Sequence, residues 1–345
     1  MASSAHAWTC RTTCSCRATR PCTWNCCGAT SRRTTRWPSA CATSITTEPE
    51  ASSQVNMPIR ILPRPVRPLL VLCLCLLLGG CTGLFLYPDR VRHLPDRALG
   101  TPAEDMWISA PDGSRLHALF LPAQGPPRAT LLFLHGNAEN LSSHVHAVTW
   151  LPAQGYAVLA LDYRGFGQSQ GSADVDAIHE DAAAALAWLA ARPAADTGPL
   201  VVYGQSLGGS VAIRLVAQAD DAQRRRIAAV VADSAFSSYR GIAREKLAQV
   251  WLTWPLQWPL SWLFSDRYSA VEAVGRIGPI PLLLIHGQRD AVVGYSHAQR
   301  LYAAAREPKA LWLLPEGGHI DAVRREPVRA RLLEYLEAAA GRAAP

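Results

Sequence analysis

The sequence predicts an α/β fold: a mainly parallel sheet with helices on both faces and a small Trp-rich cap. Three observations predict it. Short apolar runs alternate with segments of helical period over most of the 345 residues, as parallel sheets covered on both faces require. One serine, Ser206, stands between glycines where an apolar run gives way to a helical period. Residues with chemistry follow the carboxyl ends of the runs, where open sheets of this kind bind ligands. A hydrophobic content of 49% is ample for the core of such a fold.

Ahead of the alternating region lie segments of another character. Residues 1–56 are rich in Cys, Thr, Arg, Ser and Trp, follow neither period, and hold seven of the ten cysteines. A metal knuckle or disulfide knot would use paired C-x-x-C spacing, an even cysteine count and an apolar core, and this stretch has none of them. It is expected to be unstructured, or upstream sequence translated ahead of a start at Met57. From there "MPIRILPRPVRPLLVLCLCLLLGGCTG" places Arg60, Arg64 and Arg67 before the apolar run Leu69 to Leu78, then Gly79-Gly80 before Cys81. Residues 57–80 resemble a bacterial lipoprotein signal peptide, which implies lipidation of the Cys81 thiol. The competing reading is an uncleaved anchor over Leu69 to Tyr87, weakened by Gly79, Gly80, Thr82 and Gly83. Both readings put the domain outside the cytoplasm. Thr82, in place of an aspartate that would imply inner-membrane retention, favours an outer-membrane lipoprotein on the periplasmic side. Residues 81–103 read as a linker.

Charge takes its meaning from these boundaries. Nine of the 34 basic residues and two of the 27 acidic ones precede Cys81, which leaves 25 of each sign after it. Nucleic-acid binding needs a basic surplus on one face and so loses its support. "RRR" at 224–226 and "RR" at 324–325 read as solvated helix faces. No cysteine follows Cys81, so the domain needs no disulfide.

The domain spans 104–340. "EDMWISAPDGSRLHALFLP" (104–122) is a hairpin turning at Pro111-Asp112-Gly113. Next come a strand at 129–135, a helix near 141–153, a strand at 156–162 and an alanine-rich helix at 174–192. The strand Pro199 to Tyr203, a helix from Leu207 and a strand at 227–233 follow. Strands at 280–286 and 309–315 complete the set, with helices ending near 300 and 340. The insertion 234–275 interrupts the alternation. It carries Trp251, Trp254, Trp258 and Trp262, and Pro255 and Pro259 prevent a single helix. These tryptophans are ordinary core, a roof over the sheet's carboxyl edge, or a surface touching a bilayer.

The chemistry begins in "VVYGQSLGGSVAIRLV" (201–216). A residue at so abrupt a strand-to-helix switch is held in a sparsely populated conformation, tolerated where the positions two before and two after lack side chains. Gly204 and Gly208 meet that need. The G-x-S-x-G elbow lifts Oγ clear of the backbone and aims the Leu207 N–H at the same spot. The plain alternative is a serine N-cap in a glycine-rich turn. A serine nucleophile needs a base, a group to orient that base, and oxyanion donors. Asp290 follows "LLLIHGQR", and His319 follows "LLPEGG", so the chain order is Ser, Asp, His. Asp233, at the end of the strand 227–233, competes for the acid role. "LFLHGNAEN" brings the Asn137 N–H toward that of Leu207, and His135 reads as structural.

Taken together, "LFLHGNAEN", "LALDYRGFGQSQG", "YGQSLGGS", "LLIHGQRDAVV" and "PEGGHID" resemble the α/β-hydrolase superfamily, and within it the membrane-tethered serine hydrolases with a short cap. The resemblance implies that Ser206 is the nucleophile, His319 the general base and acid, and Asp290 its orienter. It further implies that Asn137 and Leu207 supply the oxyanion N–H groups and that "DYRGFGQS" lines the site. No cofactor or metal is expected: "GFGQSQG" lacks G-x-G-x-x-G spacing, and His144 and His146, two apart, read as surface residues. A dehalogenase would carry Asp at the elbow, where this chain has Ser206. The expected activity is hydrolysis of carboxylic esters or thioesters of an apolar acyl group through an acyl-enzyme. The alternatives are an aminopeptidase or amidase of the same fold, and a catalytically idle membrane-tethered binding module. Expected partners are a small-molecule or lipid ester, and a membrane reached through the N-terminal lipid or anchor.

Overall fold

In the computed structural model the described residues are 85–93 and 99–343, and they belong to one compact unit, Leu62–Pro345. The readings for residues 1–56, the signal segment 57–80 and Cys81 lie outside the described residues. The apolar runs pair into one eight-stranded sheet: β1 (Glu104–Ser109), β2 (Arg115–Leu121), β3 (Ala129–Leu134), β4 (Tyr156–Leu161), β5 (Leu200–Gln205), β6 (Ile227–Asp233), β7 (Leu282–Gly287) and β8 (Lys309–Leu314). Their order is β1-β2-β4-β3-β5-β6-β7-β8. β2 pairs antiparallel with β1 and with β4, and every other pair is parallel.

Helices cover both faces, so successive residues of the central strands bury into different cores. Leu132 and Leu134 of β3, with Leu200 and Val202 of β5, join one cluster; Leu131, Phe133, Val201 and Tyr203 join the other. The first cluster takes Ile178 and Leu186 from α2 (Val175–Ala190), Val211 and Leu215 from α3 (Leu207–Gln218), and further apolar residues of the insertion. The second takes Leu141 from α1 (Leu141–His144) and Leu332, Leu336 and Ala339 from the C-terminal helix Glu326–Ala343. Among the described residues no helix is long and apolar enough to cross a membrane.

Three expectations change. The helix read near 141–153 is α1 followed by 3-10 turns at Val145–Ala147 and Pro152–Gln154. Pro152 lacks the N–H that would continue a helix, and Gly155, at φ 82°, ends the segment in the left-handed region. Arg224 and Arg226 are not a solvated face. Arg224 donates to the carbonyls of Val216, Ile277 and Gly278, and Arg226 to those of Ala190 and Arg192 and to Thr197 Oγ1. They tie the ends of α2 and α3 to the turns at Arg192 and Ile277-Gly278. Residues 85–93, inside the stretch read as a linker, pack into the domain: Asn140 Nδ2 donates to the carbonyls of Asp89 and Val91, and Gly167 N–H to Asp89 O.

Candidate active site

Ser206 follows β5 directly and adopts φ 54°, ψ −115°, a strained conformation for a residue with a side chain. A Cβ on Gly204 would overlap the Gly208 carbonyl, and one on Gly208 would overlap the Leu134 carbonyl. The two glycines thus let strand, turn and neighbouring β3 pack backbone against backbone. Ser206 N–H donates to Asp233 O at 2.8 Å, carrying the β5–β6 ladder into the turn. Its side chain makes no capping bond to α3, so the N-cap alternative does not hold.

His319 and Asp290 meet across the loops that follow β8 and β7. Gly287 and Gly317 approach so closely that a Cβ on Gly287 would overlap the Gly317 carbonyl, and Arg289 N–H donates to that carbonyl at 2.9 Å. Asp290 is fully engaged. Oδ1 accepts from the Val292 and Val293 N–H groups, both at 2.8 Å. Oδ2 accepts from His319 Nδ1 at 2.8 Å and lies 3.4 Å from His286 Nε2. A carboxylate only accepts, so His319 carries its proton on Nδ1 and leaves Nε2 as an acceptor. Burial raises the Asp290 pKa, but the hydrogen bonds from His286 and His319 overcome it, holding the carboxyl well below its usual range.

Asp233 is placed differently. It is buried and accepts from Gln205 Nε2 at 3.1 Å and from Ser234 Oγ at 3.3 Å, not from His319. Burial pushes its carboxyl up to about 6 against the Gln205 bond. Ser206 and His319 line one cavity, and no hydrogen bond joins them among the described contacts.

The loop after β3 forms the other wall. A Cβ on Gly136 would stand 3.4 Å from Ser206 Cβ, so the loop lies against the serine. The Asn137 side chain is spent on the chain: Oδ1 accepts from Tyr87 N–H at 3.1 Å and Ala138 N–H at 2.9 Å, and Nδ2 donates to Phe85 O at 2.6 Å. That fixes the backbone of Asn137 beside the start of α3, where the Leu207 N–H has no intrahelical acceptor. His135 is buried, with Nδ1 donating to Gly136 O at 2.7 Å. His144 is half-buried and stacks on His135 with centroids 5.4 Å apart, which corrects its reading as a surface residue. Burial, and then His135, bring its pKa down to about 4, so it supports the loop as a neutral ring. His146 is half-buried too.

"DYRGFGQS" lies beneath this loop and contributes nothing to the cavity lining, unlike the expectation. It supplies Asp162, which accepts the Leu141 N–H at 2.7 Å and stands 3.5 Å from His117 Nδ1 and from His135 Nε2. Burial raises its pKa, yet the two histidines bring it to about 2. A Cβ on Gly167 would overlap this carboxylate, which is why the loop needs glycine there.

The cavity above Ser206 measures 560 Å³. α4 (Tyr239–Gln249), the first helix of the insertion, roofs it with Ile242, Ala243 and Leu247, and Phe236 and Phe264 flank them. Phe85 and Tyr87 also line it, and the sequence carried no signal for them beyond two aromatics in a presumed linker. Glu245 of α4 was missed as well. Its Oε1 accepts the Gly294 N–H at 2.9 Å and its Oε2 meets His297 Nε2 at 3.1 Å, tying the roof to the loop that carries Asp290. Among the described residues no cluster of His, Cys, Asp and Glu has the makings of a metal site.

Known proteins of this architecture can now be set beside it. A family model described as serine aminopeptidase, S33, matches residues 125–269. Uncharacterized protein YfhR of Escherichia coli (strain K12) is 36% identical over 254 residues, which make up 72% of this chain and 84% of that protein. Alpha/beta hydrolase domain-containing protein WAV2 of Arabidopsis thaliana is 32% identical over 233 residues, 63% of this chain and 72% of that protein. The Pyrococcus furiosus esterase Pf2001 superposes with a TM-score of 0.59 at 25% identity, over 73% of this chain and 97% of that one. The chain belongs to the α/β-hydrolase superfamily. As an α/β hydrolase it carries Ser206 inside the region matched by the family model, and Asp290 and His319 beyond it.

Proposed function

We propose that this α/β hydrolase is a serine esterase acting on apolar acyl esters or thioesters through an acyl-enzyme. Ser206 Oγ attacks the acyl carbonyl while His319 Nε2 takes its proton, and Asp290 keeps the imidazole in the tautomer that makes Nε2 the base. The N–H groups of Asn137 and Leu207 receive the oxyanion. His319 then returns the proton to the leaving group, and water repeats the cycle to release the acid. The observation that carries this reading is the 2.8 Å His319–Asp290 bond beside a serine at a strained elbow, opening into an apolar cavity. The name of the Pyrococcus furiosus neighbour supports the ester class.

The family model's description suggests a peptidase instead. A free amino terminus calls for a carboxylate in the pocket, and among the described lining residues there is none, whereas Lys246 adds positive charge. The ester reading is therefore preferred. We further propose that the chain is a lipoprotein anchored through Cys81 on the periplasmic side of the outer membrane, on the strength of the residues from Arg60 to Cys81.

The test is hydrolysis of p-nitrophenyl esters of increasing chain length by the full chain, beside Ser206→Ala. Turnover favouring longer chains and abolished in the variant is expected. If neither protein turns over any ester and a fluorophosphonate labels neither, the esterase reading is wrong and an idle binding module takes its place.

A further inference from the structure

The four tryptophans of the insertion do not line the cavity. Trp251, Trp254, Trp258 and Trp262 are 85%, 61%, 59% and 72% exposed, and Val250, Leu252, Leu256 and Leu263 beside them are exposed as well. Pro255 and Pro259 break this stretch into a 3-10 turn at Trp254–Leu256 and the short α5 (Gln257–Ser261), so no long amphipathic helix turns the apolar side chains inward. An exposed apolar face of this density marks a contact surface.

Three features identify the contact. Indoles have an apolar body and one polar N–H, which suits them to the boundary between water and lipid. Next to them is a pocket of 280 Å³ lined by Arg240, Arg244 and Arg300 together with Trp258 and Trp262. Arg240 and the pocket's Asp266 are paired at 4.0 Å. Arg244 lies over the Trp258 ring at 4.3 Å, and Arg300 donates to Ser237 Oγ at 3.2 Å. Among the described residues neither of these two has a carboxylate within ion-pair distance, which leaves two guanidinium groups for an oxyanion. Finally, Val250 of the exposed face and Thr253 beside it also line the cavity that holds Ser206, so apolar surface runs from that face to the serine.

We propose that this face docks on an anionic phospholipid bilayer, with indoles and leucines in the interface and Arg244 and Arg300 on lipid phosphates. The acyl ester reaching Ser206 is then drawn from the bilayer; that second half rests on the esterase reading, and the docking does not.

A chain tethered elsewhere would stay on vesicles whatever the insertion does, so the measurement must report on the insertion itself. Hydrogen exchange of the full chain is followed peptide by peptide, free and on vesicles of phosphatidylcholine with or without phosphatidylglycerol. Protection of peptides spanning 250–263 is expected on the vesicles containing phosphatidylglycerol. Trp251→Ser with Trp254→Ser should abolish it while fluorophosphonate labelling of Ser206 is unchanged. Arg244→Gln and Arg300→Gln should each weaken the dependence on phosphatidylglycerol by about fivefold, the share of one basic residue near an anionic surface. Exchange at 250–263 that is the same free and vesicle-bound overturns the proposal, as does equal protection on phosphatidylcholine alone. Protection that appears with protein concentration in the absence of vesicles also overturns it, in favour of a second copy of the chain. Failure of fluorophosphonate labelling in the wild type would remove the esterase reading and leave the docking result standing.

Discussion

Asp290 and Asp233 show how little a carboxylate's position in the sequence says about its work. Both lie at a strand's carboxyl end, Asp233 as the last residue of β6 and Asp290 just beyond β7, yet only Asp290 meets His319, while Asp233 is buried against Gln205. Asp290→Asn should lower kcat on a p-nitrophenyl ester by roughly 10⁴, because the amide favours the wrong imidazole tautomer. Asp233→Asn should leave kcat within a few-fold. Comparable losses in the two variants would show that the orienter is not Asp290 alone. The motif "QRDAVV" made Asp290 visible in the sequence. What it left open was the choice between the two acids, because that depends on the 2.8 Å approach of two loops separated by a whole strand.

At the scale of the element, the elbow was legible because its glycines answer a local steric demand. The pattern alone does not say which glycine bears most. A Cβ on Gly208 would run into the backbone carbonyl of Leu134 on β3, which cannot move without parting the sheet. A Cβ on Gly209 would meet the Ala235 methyl at 2.9 Å, a softer obstacle. Gly208→Ala should therefore cost about 4 kcal/mol or prevent folding, and Gly209→Ala only about 1 to 3 kcal/mol, in urea denaturation of the two variants. Equal costs would show that the Leu134 carbonyl is no harder an obstacle than the Ala235 methyl, since helix propensity by itself favours alanine at both positions. The helix misread near 141–153 failed for the converse reason. Its apolar period is real, but Pro152, Gly155 and the support of the Asn137 loop by His144 break it into turns.

At the scale of the whole molecule, buried carboxylates set opposing pH dependences. Asp162 joins the ends of β2, β3 and β4 to α1, through His117, His135 and the Leu141 N–H. Its pKa is lowered to about 2, so it contributes stability above the ordinary carboxylate range that is lost as the pH falls from about 4 through 2. The loss is about 2 kcal/mol. Asp233, and Asp181 of α2, which accepts from the Arg164 N–H and Nε at 2.7 Å, are raised to about 6 by burial and act in the other direction. The folded chain takes up their protons first, so the cost of burying them fades as the pH falls from about 6 to 4. Urea midpoints measured across pH should show Asp162→Asn flattening the acid limb below pH 4. Asp233→Asn should remove part of the gain between pH 7 and 5. A wild-type midpoint that falls steadily from pH 7 downward would contradict the raised pair.

The sequence by itself determined the order of elements, the elbow and the three residues proposed for catalysis, because strand and helix periods, steric need for glycine and position at a strand's end are local properties. Only the tertiary structure decided which aspartate orients His319, that Phe85 and Tyr87 line the cavity, and that the insertion roofs the site with Ile242 and Leu247 while its tryptophans face outward. Each of these depends on contacts between segments far apart in the chain, and neither period nor spacing along the chain encodes which distant segments will meet.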